Sequence, residues 1–386
     1  MIDARHALLM ILALLLCQPA MFGAGAQQAE GVWTLTTPDF ATQRIRLVAI
    51  GEGGVEIVEP NGETARLPHD RLVRLERSAP ETGGAGPFVL YLRNGDRLHG
   101  RPLRLTETAF VMQVVSFGEV EVPLEQLQAL VAGRGDDPAR GPAPAADELT
   151  LANGDRLTGF LAAVEGDRWT FSDQQGNETP LEASAVRRLR FADMGAPAAP
   201  VGEGWRVALA SGSVLSLESL AFAEGRFDLS YGGREAAMPD TALRWLEPVD
   251  GPVRWLTDLP FAEAEHVPYL GARFPAVAEA LPEGGRGFVV RSQSRLSFDL
   301  PEDYDRFRTA YAIPRTMPQG SVDIRILLDG KAVHERAGLT AADQAEPVEI
   351  PLEGARRLTL EVAYGPGLDV QDVVHWIGPA LIRDED

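Results

Sequence analysis

The sequence is nearly without cysteine, and its only one, Cys17, lies in an N-terminal apolar run that begins at Ala7. This run is too short to span a membrane comfortably, and the small residues Ala24-Gly-Ala26 follow it, which is typical of a signal peptide. We therefore expect residues 1–26 to be removed before Gln27 and the mature chain to contain neither a cysteine nor a transmembrane span. A disulfide-free exported protein is typical of the bacterial envelope, so a periplasmic, extracellular or envelope location is predicted.

Positive charge is also scarce. The chain has 36 Lys and Arg against 56 Asp and Glu, which gives a net charge of −20 and a pI near 4.8. An acidic surface repels phosphate backbones, so nucleic acid is not expected among the partners.

Motifs that carry catalysis or bind metals are missing. There is no Gly-x-Ser-x-Gly elbow, no P-loop or Rossmann glycine signature, no His-x-x-x-His pair among the six histidines, and no recognisable catalytic pair of carboxylates. We predict that the protein is not an enzyme and has no cofactor. Calcium is the one ion left open, because Asp303, Asp305 and Asp372 are available in loops of the C-terminal region.

Turn-forming residues, by contrast, are abundant, with 39 Gly and 28 Pro in 386 residues. One turn occurs twice: Asn94-Gly-Asp-Arg-Leu-His-Gly100 returns as Asn153-Gly-Asp-Arg-Leu-Thr-Gly159, an offset of 153 − 94 = 59 residues. Asn-Gly tolerates the positive φ of a tight hairpin, and the following Leu re-enters an apolar strand. This recurrence indicates internal duplication. We interpret the polar residues of the two turns as turn formers and exposed cross-strand pairs, namely Asp96, Arg97, Asp155 and Arg156.

Four segments share the pattern around this turn, each with about five short strands and an apolar close. The segments, called repeats 1 to 4 below, span residues 32–77, 87–131, 147–192 and 204–248. The closing stretches of the first three correspond to one another, at Leu67–Leu75, Val122–Leu130 and Leu181–Leu189. Repeat 4 has Ser211-Gly-Ser213 in place of the Asn-Gly turn, and repeat 1 has its own Asn61-Gly62 at a later turn.

The repeats resemble small Sm-like or SH3-like barrels in this order of strands and turns. Connectors rich in Pro, Ala and Gly separate them, and such segments stay extended. We therefore expect separate barrels joined by semi-rigid links and acting as spacers, with barrels that touch end to end as the alternative.

The composition changes after Val249, and strands with clear alternation follow, such as Val322–Ile326. About eight antiparallel strands over residues 253–383 predict a β-sandwich of jelly-roll type. The predicted fold class is therefore all-β: tandem small barrels followed by a jelly-roll β-sandwich.

The C-terminal segment resembles the NPCBM family of carbohydrate-binding modules. The resemblance rests on Ser294–Pro301, on Tyr304-Asp-Arg-Phe-Arg308, on the strand and Asp-Gly turn of Val322–Gly330, on Leu358–Val362 and on Asp372-Val-Val-His-Trp376. It implies a jelly-roll module that binds glycan, with galactose-type sugars as ligands of some members.

Sugar binding needs an aromatic ring to stack on a pyranose and a few polar groups to select its hydroxyls. By residue type the candidates are Tyr364, Trp376, His375, Asp372 and Arg291. Tyr364 stands beside Gly365-Pro-Gly367 in a loop and is the favoured platform, whereas Trp376 sits in the closing strand, where a large aromatic usually fills the core.

Two functions follow as predictions. In the first, the protein is an exported, non-enzymatic binder that recognises glycan through the C-terminal sandwich. In the second, it is a structural or protein-interaction protein of the envelope whose sandwich has lost sugar binding. The second is motivated by departures from the family pattern at Ala272–Pro282 and Ala312–Pro318.

Overall fold

The computed structural model of the chain describes residues 32–77, 84, 86–133, 144–195, 204–269, 277–281, 286–345, 347–367 and 369–384. The predicted signal peptide, residues 1–26, lies outside the described residues, as does most of the stretch 272–282. No helix in the described ranges is long and apolar enough to cross a membrane.

Each repeat folds into a small meander of strands that ends with a short 3-10 helix and a closing strand. Repeat 1 has β1 Val32–Thr36, β2 Thr42–Gly51, β3 Gly54–Val58, β4 Thr64–Leu67, a 3-10 helix His69–Arg71 and β5 Arg74–Arg77. Repeat 2 has β6 Phe88–Leu92, β7 Arg97–Leu105, β8 Ala109–Val114, β9 Gly118–Pro123, a 3-10 helix Leu124–Gln126 and β10 Leu127–Ala132. Repeat 3 has β11 Asp147–Leu151, β12 Arg156–Glu165, β13 Arg168–Asp173, β14 Glu178–Glu182, a 3-10 helix Ala183–Ala185 and β15 Val186–Arg190. Repeat 4 has β16 Trp205–Leu209, β17 Val214–Leu217, β18 Ser219–Ala223, β19 Arg226–Tyr231, β20 Arg234–Pro239, a 3-10 helix Asp240–Ala242 and β21 Leu243–Pro248.

In every repeat the closing strand returns to pair with the first strand, and the second strand bends in its middle. The bend is a register shift in β2, β7 and β12, opposite β3, β8 and β13. In repeat 4 the same strand is broken into β17 and β18 at Glu218. A bulge of this kind increases the local twist, which lets one long strand serve both sides of a small barrel.

The first turn of each repeat has one conformation, although its sequence varies. Gly95, Gly154 and Gly212 have φ of 89°, 94° and 94°, and repeat 1 places Phe40 there with φ of 62°. The side chain of Asn94 accepts the Asp96 N–H at 3.0 Å, and in repeats 3 and 1 Asn153 and Asp39 play the same part. The Asn-Gly turn is therefore a hairpin device, as the sequence suggested.

The repeats pack together, and the expectation of separate barrels is wrong. Their closing strands pair antiparallel in two couples, β10 with β15 and β5 with β21. Leu130 faces Leu189, and Leu75 faces Leu246. Each of these leucines also pairs with the middle of its own repeat's first strand, so equivalent residues meet around a local two-fold axis. We call this contact the closing-strand interface.

A second contact joins repeats 2 and 4 through their first turns, where Arg97 of β7 faces Val214 of β17. We call it the first-turn interface. The repeats therefore lie in the spatial order 3–2–4–1, with one hydrophobic cluster running through all four. The composition of the connectors does not predict this packing. It describes the chain between the repeats and not the strand edges through which the repeats pair.

The C-terminal region is a two-sheet sandwich. Its strands are β22 Val253–Trp255, β23 Glu263–His266, β24 Glu279–Ala280, β25 Gly287–Arg291, β26 Ser294–Asp299, β27 Arg306–Ala312, β28 Ser321–Leu328, β29 Lys331–Thr340, β30 Pro347–Pro351, β31 Arg357–Tyr364 and β32 Val373–Ile382, with a 3-10 helix at Leu256–Asp258. One sheet has the order β24-β25-β32-β27-β30, with β22 also on β32, and the other has β23-β26-β31-β28-β29. A second apolar core lies between the sheets. The predicted all-β fold class is confirmed.

Repeats 1 and 4 contact the sandwich through an apolar seam and a group of buried charges. The ring of Phe40 packs edge-on against Trp255, and the guanidinium of Arg308 lies 4.2 Å from the centroid of the Phe40 ring. Beside this seam Asp258 binds Arg206 and Arg286, each at 2.7 Å. The charges bridge repeat 4 and the sandwich.

Candidate functional site

Three connections meet at one end of the sandwich: the β25–β26 turn, the β31–β32 loop and the segment before β28. The Ser292 N–H donates to the Asp372 carbonyl at 3.2 Å, and the Gln319 N–H donates to the side chain of Gln371 at 3.0 Å. Gln293 and Gln371 have φ of 57° and 59°, so both turns are tight. The end is therefore held by its own backbone bonds, which fixes the side chains that it carries.

Asp372 is the buried acid of this end, with only 2% of its surface exposed. One carboxylate oxygen accepts the Ser321 N–H at 2.9 Å, and the other is buried without a hydrogen-bond partner among the described residues. Burial raises the pKa of Asp372, because the charged form loses solvation. In this structure the carboxylate ties two loops together and is not presented to solvent.

Tyr364 lies at the same end and is paired with a second tyrosine. Its hydroxyl donates to the Val267 carbonyl at 3.1 Å. The ring of Tyr269 stands perpendicular to it at 5.9 Å, and Tyr269 is 54% exposed. Two amphipathic rings, one of them largely in solvent, form the aromatic surface of this end of the sandwich, which is the kind of surface on which an apolar sugar face can stack.

Arg291 and His266 supply polar groups beside the turn. Arg291 ends β25 and donates to Glu279 at 3.1 Å. The pKa of His266 is lowered, first by burial and then by the charge of Arg291. A neutral imidazole can both donate and accept a hydrogen bond, which suits a hydroxyl ligand.

The other two predicted residues lie away from this end. His375 is on the outer face of its sheet, between Val289 and Ala312 in the register, and burial lowers its pKa. Trp376 points the opposite way into the core and is 0% exposed, with Tyr311 edge-on at 5.5 Å. The structure therefore corrects Trp376 as a binding residue, since neither face of its ring is open to a sugar.

The calcium interpretation is also not supported by the geometry. Asp305 is joined through its backbone to Ile382, the last residue of β32, whereas Asp372 precedes the first residue of that ten-residue strand. The aspartates therefore lie at opposite ends of the strand. In the described ranges no three His, Cys, Asp or Glu residues gather as metal ligands.

Sequence reasoning missed Tyr269 and His266. Residues 263–266 form β23 and pair with β26, which brings His266 opposite Ser294, beside the β25–β26 turn. The tyrosine beside Pro268 was visible in the sequence, but its contact with Tyr364, 95 residues later (364 − 269 = 95), was not.

The comparison that bears on this site is a family match. Residues 283–382 match the NPCBM/NEW2 domain. The match begins just before β25 and ends with the last residue of β32, so this NPCBM/NEW2 segment contains Arg291, Tyr364, Asp372 and His375, while Tyr269 and His266 precede it. The predicted resemblance of the C-terminal segment is confirmed.

Solved structures similar to this chain include modules of the CBM51 type. A CBM51 from Clostridium perfringens GH95, in complex with methyl-galactose, is 18% identical, covers 33% of this chain and 99% of its own, and has a TM-score of 0.28. The tandem CBM51 modules of Sp3GH98 from Streptococcus pneumoniae SP3-BS71 are 10% identical, with coverage of 91% and 88% and a TM-score of 0.28. No curated protein matches the chain.

Proposed function

We propose that this protein is an exported, non-enzymatic carbohydrate-binding protein that takes glycan at the loop end of its NPCBM/NEW2 segment. The observation that carries the proposal is the family match over residues 283–382. The site consists of Tyr364 and Tyr269 as the stacking surface, with Arg291 and His266 as hydrogen-bonding groups. Asp372 holds the loops in place.

The barrel repeats serve as a rigid support in this proposal. They pack into one row and contact the sandwich at Phe40 and around Asp258, away from the tyrosine pair. The glycan site would therefore have a fixed orientation relative to the row of repeats.

A glycan array probed with the purified chain tests the proposal, with galactose-type glycans in the panel. We expect binding to at least one glycan class and no release of sugar products on long incubation. Absence of affinity for every glycan would overturn the binding role, and turnover would overturn the non-enzymatic one. The envelope interaction role predicted as the alternative is not favoured by the family match.

Side-chain substitutions test the site itself. Tyr364→Ala and Tyr269→Ala remove a ring, and we expect each to weaken binding at least about tenfold, or about 1.4 kcal/mol. Tyr364→Phe keeps the ring and loses only the bond to Val267, so it should retain most of the affinity. Phe160→Ala is the matched control, because Phe160 is a 53% exposed aromatic on repeat 3. Equal loss in the control would place the site elsewhere.

A further inference from the structure

The first-turn interface between repeats 2 and 4 is made of equivalent contacts on its two sides. The Asp96 carboxylate accepts the Ser216 hydroxyl at 2.7 Å. On the other side the Ser213 hydroxyl accepts a hydrogen bond from the backbone N–H of His99 at 3.0 Å. Asp96 and Ser213 each directly follow the positive-φ glycine of their turn, and His99 and Ser216 each come three residues later. The two repeats are thus related by a local two-fold axis near Arg97 and Val214.

The first turns of repeats 2 and 4 cover one another. The first turn of repeat 1 contacts the sandwich through Phe40, which packs against Trp255 and Arg308, while Asp39, Ala41 and Thr42 are exposed.

The first turn of repeat 3 is exposed. Asn153, Gly154, Asp155 and Arg156 are all exposed, whereas Asp96, the counterpart of Asp155, is 0% exposed. The next strand position shows the same difference in burial. Leu157 is half-buried, whereas Leu98, its counterpart in repeat 2, is fully buried. Repeat 3 therefore exposes Asp155, and partly exposes Leu157, at the two positions that repeat 2 buries.

These residues are complementary to themselves. The bond between Asp96 and Ser216 needs a carboxylate just after the glycine and a hydroxyl three residues later. Repeat 3 has both, in Asp155 and Thr158. Two copies related by a two-fold axis would form this bond twice, Asp155 of each copy to Thr158 of the other. In the register of Arg97 and Val214 the two Arg156 side chains would face one another, so the Asp155–Thr158 bonds must outweigh that repulsion.

We infer that the first turn of repeat 3 is a dimerisation surface for a second copy of this chain. Along the row, closing-strand and first-turn interfaces alternate: 3–2, 2–4 and 4–1. Pairing of repeat 3 with repeat 3 continues the alternation, which gives a dimer with the sandwiches at its far ends.

Sedimentation velocity of the full chain over a dilution series tests this inference. We expect a concentration-dependent dimer. Thr158→Arg removes the hydroxyl and adds a charge beside Arg156, so it should shift the dimer to monomer and weaken association at least about tenfold. Thr179→Arg is the control, since Thr179 is an exposed threonine on β14 of the same repeat, and it should leave the dimer intact.

A cross-linking experiment tests the position of the axis. Arg156 is the counterpart of Arg97, which faces Val214 directly, so Arg156→Cys would bring two thiols opposite one another, near the spacing of a disulfide. Mild oxidation should give a covalent dimer in this variant and not in the unchanged chain, which has only Cys17. A chain that is monomeric at every concentration, or a dimer that survives Thr158→Arg, would overturn the inference. Glycan binding is measured separately and is expected to be unaffected by Thr158→Arg.

Discussion

At the scale of single residues, the duplicated turn shows how far sequence determines structure. Asn94 and Asn153 form the same side-chain bonds to Asp96 and Asp155, and this local geometry could be predicted from Asn-Gly alone. The burial of Asp96 could not be predicted from the turn, because it results from contact with repeat 4. The interpretation of Asp96 as an exposed turn residue is therefore wrong, while Asp155 is exposed as expected.

The buried Asp96 should make stability depend on pH. Burial raises the pKa of Asp96 above its ordinary value of 3.8, so the folded protein holds this proton more tightly than the unfolded chain. The resulting stability is present below pH 3.8 and is lost as the pH rises through the raised value. Asp96→Asn removes this contribution. We expect the unfolding free energy of the unchanged chain, relative to Asp96→Asn, to increase from pH 7 towards pH 4, as measured by urea unfolding.

The matched control is Asp155→Asn, at the equivalent and exposed position of repeat 3. A pH dependence that is the same for both variants would mean that the burial of Asp96 has no energetic consequence.

At the scale of elements, many strands could be predicted. The alternating stretch Val322–Ile326 lies within β28, Ser321–Leu328. Gly378-Pro379 looks like a break in the sequence, yet Val373–Ile382 is one strand. Gly378 has φ of 57°, and the strand absorbs it through a shift in register opposite β27. A glycine can end a strand or bend it, and only the neighbouring strand decides which.

Contacts between elements were not predictable, and the charges around Asp258 are the clearest case. Burial alone would raise the pKa of Asp258, but Arg206 and Arg286 outweigh it and hold the pKa well below its ordinary range. Arg286 also pairs with the buried Glu247, which in turn binds Arg74 of repeat 1 at 2.9 Å. These charges come from two repeats and the sandwich, so no local pattern in the sequence brings them together.

Removal of one charge from this group should be costly. Asp258→Asn leaves the largely buried guanidinium of Arg206 without a carboxylate and that of Arg286 with Glu247 alone, and we expect a loss of about 3–5 kcal/mol in the free energy of unfolding at neutral pH. Asp299→Asn, which breaks an exposed pair with Arg357, should cost less than about 1 kcal/mol. Denaturant unfolding followed by fluorescence measures both. Equal losses would show that the Asp258 group is no more important than a surface pair.

At the scale of the whole molecule, four duplicated barrels and one sandwich form a continuous assembly. The duplication and the sandwich could be predicted, because turn residues and alternation recur along the sequence. The spatial order 3–2–4–1 of the repeats could not be predicted, since it depends on which strand edges pair. The tyrosine pair was predicted only in half, because Tyr269 and Tyr364 come from different loops.

The proposed function requires one glycan site on the sandwich and none on the repeats. Calorimetric titration of the full chain with a glycan found on the array measures this. We expect one bound glycan per chain, with affinity weakened at least about tenfold in Tyr364→Ala and kept in Phe160→Ala. A stoichiometry near four glycans per chain, or full affinity in Tyr364→Ala, would contradict it.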